Sequence, residues 1–302
     1  MRFITACALL LSVVITTPTV GQATATQPNQ TIRGSLIVVG GGSRPASITQ
    51  RFIELAGGRE RARILIIPLA GANAQETGTS SVAAFRRDSV QATSLVVTRA
   101  QADTDTIARA LIGITGVWFP GGVQTRITEI LRGTKLHRAL LDLYHNGAVI
   151  GGTSAGAAIM SDSMLTGSQY QPGTDTAVYS DDTYTRIARR SIELVDGLGF
   201  LHNALVDQHF VRRERQNRLL SVVLERPHLL GAGIDEQTAI EVRPDGTWHM
   251  LGNSVVVIYD ARQARISEQS AAVLGAQDVR MHILSTGGSF DPRTGAARLR
   301  EP

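Results

Sequence analysis

Cysteine is all but missing from this 302-residue chain, and the single one, Cys7, lies inside an apolar N-terminal run. Once that run is removed the chain carries no thiol. Disulfides, thiolate metal sites and a cysteine nucleophile are therefore excluded, and any nucleophile must be an oxygen. Lysine is almost as scarce, with Lys135 alone, and aromatic residues make up 5% of the chain. A net charge of +4 without a long Lys/Arg run argues against nucleic-acid binding. Long hydrophobic runs are also lacking beyond residues 6–15, too short for a membrane span of about 20 residues. Arg2 before that run, Pro18 after it and Ala23-Thr24-Ala25 beyond make it an export signal. The expectation is a signal peptide over 1–25 and a single domain over 26–302, secreted or periplasmic and free of the membrane after cleavage. No constellation has metal-ligand spacing, so neither a metal nor an organic cofactor is expected.

What is present is an alternation of buried strands and helical stretches. Residues 35–39, 63–67, 94–97, 116–119 and 148–150 read as strands, four of them as continuous apolar runs. Helical patterns fall at 48–56, 104–111, 125–132, 135–146 and 212–224. Residues 166–185, rich in Gly, Ser, Thr, Asp and Tyr, read as a long loop. Residues 231–234 begin another strand, and the segments 238–242, 247–251 and 255–259 read as antiparallel hairpins. This order predicts an α/β fold with an open, mostly parallel sheet flanked by helices and a C-terminal antiparallel hairpin region. Glycines follow the strands ending at Val39 and Phe119 and surround Ser154, which places three loops in one crevice at the carboxyl ends of the strands.

Gly152-Thr153-Ser154-Ala155-Gly156 stands between a strand and a helix start, the setting of a nucleophile elbow. A serine hydroxyl needs a base, usually a histidine held by a carboxylate. Of the seven histidines, His209 alone follows an apolar strand and precedes an arginine-bearing helix. Glu236 follows the strand at 231–234, and its neighbour Asp235 must face the other way because strand side chains alternate. Asp207, two residues from His209, suits a substrate contact better than an orienting acid. The order Ser154, His209, Glu236 differs from the serine–acid–histidine order of α/β-hydrolases. Two N–H groups must stabilise an oxyanion, and Ala155 together with Gly121 or Gly122 can offer them.

These residues together resemble the cyanophycinase and dipeptidase E group of serine peptidases. The similarity is carried by Phe119-Pro120-Gly121-Gly122-Val123-Gln124, by the elbow, by Asp207-Gln208-His209-Phe210 with the arginines after it, and by Gly233-Ile234-Asp235-Glu236. It implies a fold of the class I glutamine amidotransferase-like or flavodoxin-like kind and a Ser-His-Glu triad on Ser154, His209 and Glu236. It also implies a substrate pocket formed by Gln124, Asp207, Gln208, Arg213, Arg215 and Arg218. The implied activity is cofactor-free exopeptidase cleavage of β-aspartyl bonds, such as β-Asp-Arg, in cyanophycin or β-aspartyl peptides. A homodimer is the assembly expected. Many relatives carry Asp where this chain has Val123, so recognition at that loop is expected to differ, and an export signal points to released polymer or to isoaspartyl and other Asp-containing dipeptides. The rival readings are an inactive exported binding protein, which requires a broken triad, and a nucleotide-binding enzyme. The second lacks the third glycine of its fingerprint after Gly40-Gly41-Gly42.

Overall fold

The apolar runs of the sequence become the centre of a nine-stranded sheet. A computed structural model describes residues 32–171, 174–180, 184–268 and 272–300; the expected signal lies outside them. Strands β1 (Ser35–Val39), β2 (Arg63–Ile66), β3 (Gln91–Ser94), β4 (Gly116–Phe119) and β5 (Val149–Thr153) come first along the chain. They are followed by β6 (Ser163–Tyr170), β7 (Ala177–Tyr179), β8 (Ile192–Asp196), β9 (Ala204–Gln208), β10 (Leu230–Ile234), β11 (Thr238–Val242) and β12 (Trp248–Gly252). The remaining strands are β13 (Val255–Asp260), β14 (Arg265–Ile266), β15 (Ala276–Gln277), β16 (Arg280–Ser285), β17 (Ser289–Asp291) and β18 (Ala296–Arg298). Helices are α1 (Ala46–Leu55), α2 (Ala74–Arg87), α3 (Arg99–Ala102), α4 (Gln124–Leu131), α5 (Lys135–His145), α6 (Ala155–Ala158) and α7 (Gln216–Glu225).

Strands β1, β5, β4, β2 and β3 lie side by side in that order, all parallel, and β11, β12, β17 and β18 extend the sheet antiparallel beyond β1. Helices cover both faces. Phe52 and Ile48 of α1 pack with Trp118 and Ile64, whereas Ile127 and Leu131 of α4 and Leu136 and Leu140 of α5 pack with Val117 and Phe119. Successive side chains of β4 thus enter opposite cores, which is why a parallel strand covered on both sides reads as one continuous apolar run. Among the described residues no helix is long and apolar enough to cross a membrane.

A second sheet in the order β16-β13-β10-β9 pairs β9 parallel to β10. The chain passes from β10 in this sheet to β11 in the large one within the three residues Asp235-Glu236-Gln237. That crossing brings the carboxyl ends of β5, β9 and β10 together beside the end of β1.

Several elements differ from the sequence reading, each for a local reason. The third strand runs Gln91–Ser94 rather than 94–97; as the sheet's edge it buries only Ala92, so no apolar run marks it. Helix α2 was not foreseen, because it buries only Gly78 and Phe85 and has no apolar stripe; its start is marked instead by the Asn73 side chain accepting the Glu76 N–H. Residues 166–185, expected to be a loop, include the end of β6, where Gly167-Ser168-Gln169 is polar, and all of β7, which is three residues long; neither is marked by an alternating apolar pattern. Of 212–224, the first residues form turns and α7 begins at Gln216.

Candidate active site

Ser154 stands between β5 and α6 with φ 54° and ψ −111°. Glycines make this turn possible by close approach: a Cβ on Gly152 would meet the Gly156 carbonyl oxygen at 2.3 Å, and one on Gly156 the Phe119 carbonyl oxygen at 2.0 Å. The Ser154 N–H donates to the Val39 carbonyl (3.0 Å), which ties the elbow to the end of β1.

Its hydroxyl oxygen lies 2.9 Å from His209 Nε2, and His209 Nδ1 lies 2.7 Å from Glu236 Oε1. With Glu236 fixing the ring through Nδ1–H, Nε2 is the nitrogen left to accept the serine proton. Ser154, His209 (φ 51°) and Gln237 (φ 58°), the residue after Glu236, are three of the eight non-glycine residues with positive φ among the described residues. Ser154, at φ 54° and ψ −111°, holds a backbone conformation that the surrounding turn must enforce.

Two features hold the pair in place that sequence reasoning assigned no such task. The Gly40-Gly41-Gly42 loop threads beneath both side chains: Gly40 O accepts the His209 N–H (2.7 Å) and Gly41 O the Gln237 N–H (2.9 Å). A Cβ on Gly41 would stand 2.3 Å from His209 Cε1, and one on Gly42 2.9 Å from Glu236 Oε2. The signal is the triple glycine itself, which marks a strand-end turn at the crevice but not a contact with the histidine and glutamate. Asp235 lies with Glu236 in the turn beyond β10, where strand alternation no longer applies; it is buried, shares none of Glu236's partners, and accepts the N–H groups of Val211 (3.1 Å) and Arg212 (2.9 Å) and the Ser254 hydroxyl (2.7 Å). It thereby fixes the turn that leads from His209 to the arginines.

Ala155, Gly121 and Gly122 border Ser154. Ala155 opens α6, and the first N–H groups of a helix have no partner inside it. A Cβ on Gly121 would lie 3.4 Å from Ser154 Cβ and 3.9 Å from its Oγ, while Gly122 presses against Ala70.

A cleft of about 520 Å³ opens over Ser154, lined by Gly122, Val123, Gln124, Gln208, Arg213, Arg215 and Arg218 together with Thr166, Ser168 and Tyr179 from β6 and β7. Within the segment expected to be a loop, Thr166, Gly167 and Ser168 of β6 and Tyr179 of β7 thus wall the site as strand residues. Gln124 is fixed by donating Nε2–H to the Leu165 carbonyl (3.1 Å). Asp207 does not face the cleft. It is fully buried, takes Arg218 in a two-point pair (2.8 and 2.5 Å), lies 3.5 Å from Arg215 Nη1 and accepts the Gln208 N–H. Its role in this structure is to hold arginines rather than to present a free carboxylate. Arg215 also donates Nη1–H to the Gln208 carbonyl (2.7 Å) and to its side-chain oxygen (2.9 Å).

Charge at the site is tuned by burial. Desolvation pushes His209 below the ordinary histidine value, opposed by its bond to Glu236 and assisted by the charges of Arg213 and Arg215. The imidazole is consequently neutral at pH 7 and able to accept a proton. Burial also lowers Arg215 to about 10, with Asp207 acting in the other direction; it stays a cation.

An α/β sheet that presents an elbow serine, a neutral histidine and a glutamate in one hydrogen-bonded line has the form of a serine hydrolase. The chain belongs to peptidase family S51, whose sequence profile matches residues 36–249. It is 31% identical over 274 residues to the cyanophycinase of Synechococcus elongatus, covering 87% of this chain and 80% of that protein. It is 30% identical over 275 residues to the cyanophycinase of Geminocystis herdmanii, covering 88% and 96%. Among solved structures, a peptidase from an acI-B1 Actinobacterium superposes with a TM-score of 0.61 at 20% identity, covering 87% of this chain and 98% of that one, a likeness of fold.

Proposed function

We propose that this serine peptidase is an exported exopeptidase that hydrolyses β-aspartyl peptide bonds through Ser154, His209 and Glu236. The observation that carries this is the Ser154–His209–Glu236 line at 2.9 and 2.7 Å, whose serine end opens on an arginine-lined cleft. The Ser154 oxygen attacks the scissile carbonyl carbon while its proton passes to His209 Nε2. Negative charge gathers on the carbonyl oxygen, within reach of the Ala155 N–H and of the Gly121-Gly122 loop. Collapse of this intermediate breaks the carbon–nitrogen bond, and the leaving amine takes the proton from His209. A water molecule, deprotonated by the same imidazole, then attacks the ester and frees Ser154. Glu236 holds the imidazole and stabilises its transient charge.

Support for an acidic acyl group comes from Arg213 and Arg215, cations suited to a carboxylate. Support for the β-aspartyl class comes from relatives that are cyanophycinases. Export rests on the N-terminal pattern from Arg2 to Ala25. The test is to incubate the protein lacking residues 1–25 with cyanophycin, β-Asp-Arg and other isoaspartyl dipeptides, beside Ser154→Ala. Hydrolysis by the first and not the second is expected; inactivity on every peptide would refute the assignment. N-terminal sequencing of the exported protein is expected to start after Ala25, and retention of Met1 would refute export.

A further inference from the structure

We infer that Ser254, in the turn between β12 and β13, is a positioning residue for the hydrolysis: from one place it braces the turn that carries His209 and the crossing that carries Glu236. This rests on the roles given above to Ser154, His209 and Glu236. The Ser254 hydroxyl donates to Asp235 Oδ2 (2.7 Å), and its main-chain N–H donates to Thr238 Oγ1 (2.9 Å). Each partner passes the hold to one member of the catalytic array. Asp235 Oδ1 accepts the N–H groups of Val211 and Arg212 (3.1 and 2.9 Å), in the turn that begins at His209. The Thr238 hydroxyl donates to the Glu236 carbonyl (3.2 Å).

The glutamate needs such a brace because it stands where the chain leaves one sheet for the other, and no strand includes residues 235–237. Side chains there satisfy main-chain groups that a ladder would otherwise pair. The turn is pressed onto this crossing: a Cβ on Gly252 would meet the Gln237 carbonyl oxygen at 2.1 Å, and the Asn253 N–H donates to that same carbonyl (2.9 Å). Burial makes the hydroxyl matter. Asp235 and Thr238 are buried, and the donors that Asp235 receives are neutral, two main-chain N–H groups and the Ser254 hydroxyl. A buried carboxylate is costly unless its oxygens are hydrogen-bonded. Removing the hydroxyl leaves Oδ2 without this donor, and a carboxylate that turns to find another releases the 211–212 main chain. Ser254, Asp235 and Thr238 do not line the cleft, so their effect on turnover passes through His209 and Glu236.

The test measures kcat on β-Asp-Arg for the wild type, Ser254→Ala, Ser254→Thr, Asp235→Ala and the double variant Ser254→Ala/Asp235→Ala, with melting temperatures to show which are folded at the assay temperature. A full ångström of displacement costs about 100-fold, and loss of one of the bonds that fix Asp235 moves the imidazole by less, so Ser254→Ala is expected to lower kcat by about tenfold while folded. Ser254→Thr keeps the hydroxyl and should restore most of that loss. Adding Ser254→Ala to Asp235→Ala should cost nothing further, because the hydroxyl acts through that carboxylate. If Asp235→Ala does not fold, the two Ser254 variants carry the test by themselves. Folded Ser254→Ala that turns over as fast as the wild type, or Ser254→Thr as impaired as Ser254→Ala, overturns the inference and leaves the triad standing. A wild type inactive on β-Asp-Arg and on cyanophycin overturns the proposed activity and, with it, the inference.

Discussion

Gly41→Ala is expected to cripple the enzyme without replacing any group that handles a proton. The added Cβ would stand 2.3 Å from His209 Cε1, 2.6 Å from Nε2 and 2.8 Å from Nδ1, so it strikes the imidazole edge between the two bonded nitrogens. The closest of these contacts is about 1.1 Å short of the 3.4 Å at which ordinary contact begins. Either the ring or the loop must move by that amount. The loop is held, since Gly40 O and Gly41 O accept the N–H groups of His209 and Gln237. A ring moved by an ångström cannot keep both its 2.9 Å contact with Ser154 and its 2.7 Å contact with Glu236. Displacement of that size costs about 100-fold in rate. The φ of +114° adds backbone strain of about 1–3 kcal/mol, which lowers stability as well. Gly58→Ala separates the two effects: its φ is +78°, yet nothing lies within 4 Å of the added Cβ. Melting temperatures and kcat on a β-aspartyl dipeptide should show both variants destabilised and only Gly41→Ala inactive. If Gly41→Ala keeps activity within threefold of the wild type, the proposed coupling between this loop and the imidazole is refuted.

Other expectations follow from the same geometry. The pH profile of kcat/KM should rise through an apparent value below the ordinary histidine 6.5, since activity needs neutral His209 and burial favours the neutral form; a limb above 6.5 contradicts the assignment. Glu236→Gln removes a carboxylate that raises the His209 value, so it should move this limb to still lower pH while kcat falls by about 10²- to 10⁴-fold. Asp207→Ala strands the buried Arg218 cation and should cost about 3–5 kcal/mol in denaturant unfolding, part of it regained in Asp207→Ala/Arg218→Met. If Asp207→Ala leaves stability unchanged and only raises KM, Asp207 contacts substrate after all.

The parts of the fold legible in the sequence are those where burial dictates residue type. Strands β1, β2 and β4 lie in the interior of the sheet, and their apolar runs mark them within a residue. The edge strand β3 and helix α2 bury too little to be marked by hydrophobicity. The outer half of β6, Gly167-Ser168-Gln169, is polar where it borders the cleft, and β7 is only three residues long, so neither carries a strand signal. The serine, histidine and glutamate were legible because each sits where a strand ends, and ligand-facing residues of an α/β sheet gather there. The residues supporting them were not, because they act on other parts of the protein rather than on the cleft. Gly41 acts through the atoms it lacks, Asp235 through two main-chain N–H groups, and Asp207 through arginines eight and eleven residues further on. No spacing rule distinguishes a carboxylate that faces a cleft from one that holds what faces it.

The proposed chemistry depends on the Ser154 hydroxyl, and covalent trapping addresses it directly. The protein lacking residues 1–25 is treated with a fluorophosphonate that phosphonylates activated serines, and its intact mass and peptide map are read beside its hydrolysis of β-Asp-Arg. One adduct per chain on Ser154, formed in parallel with loss of hydrolysis and absent in Ser154→Ala and His209→Ala, is the predicted result. An adduct on another residue that abolishes activity, or wild-type hydrolysis by Ser154→Ala, would contradict it.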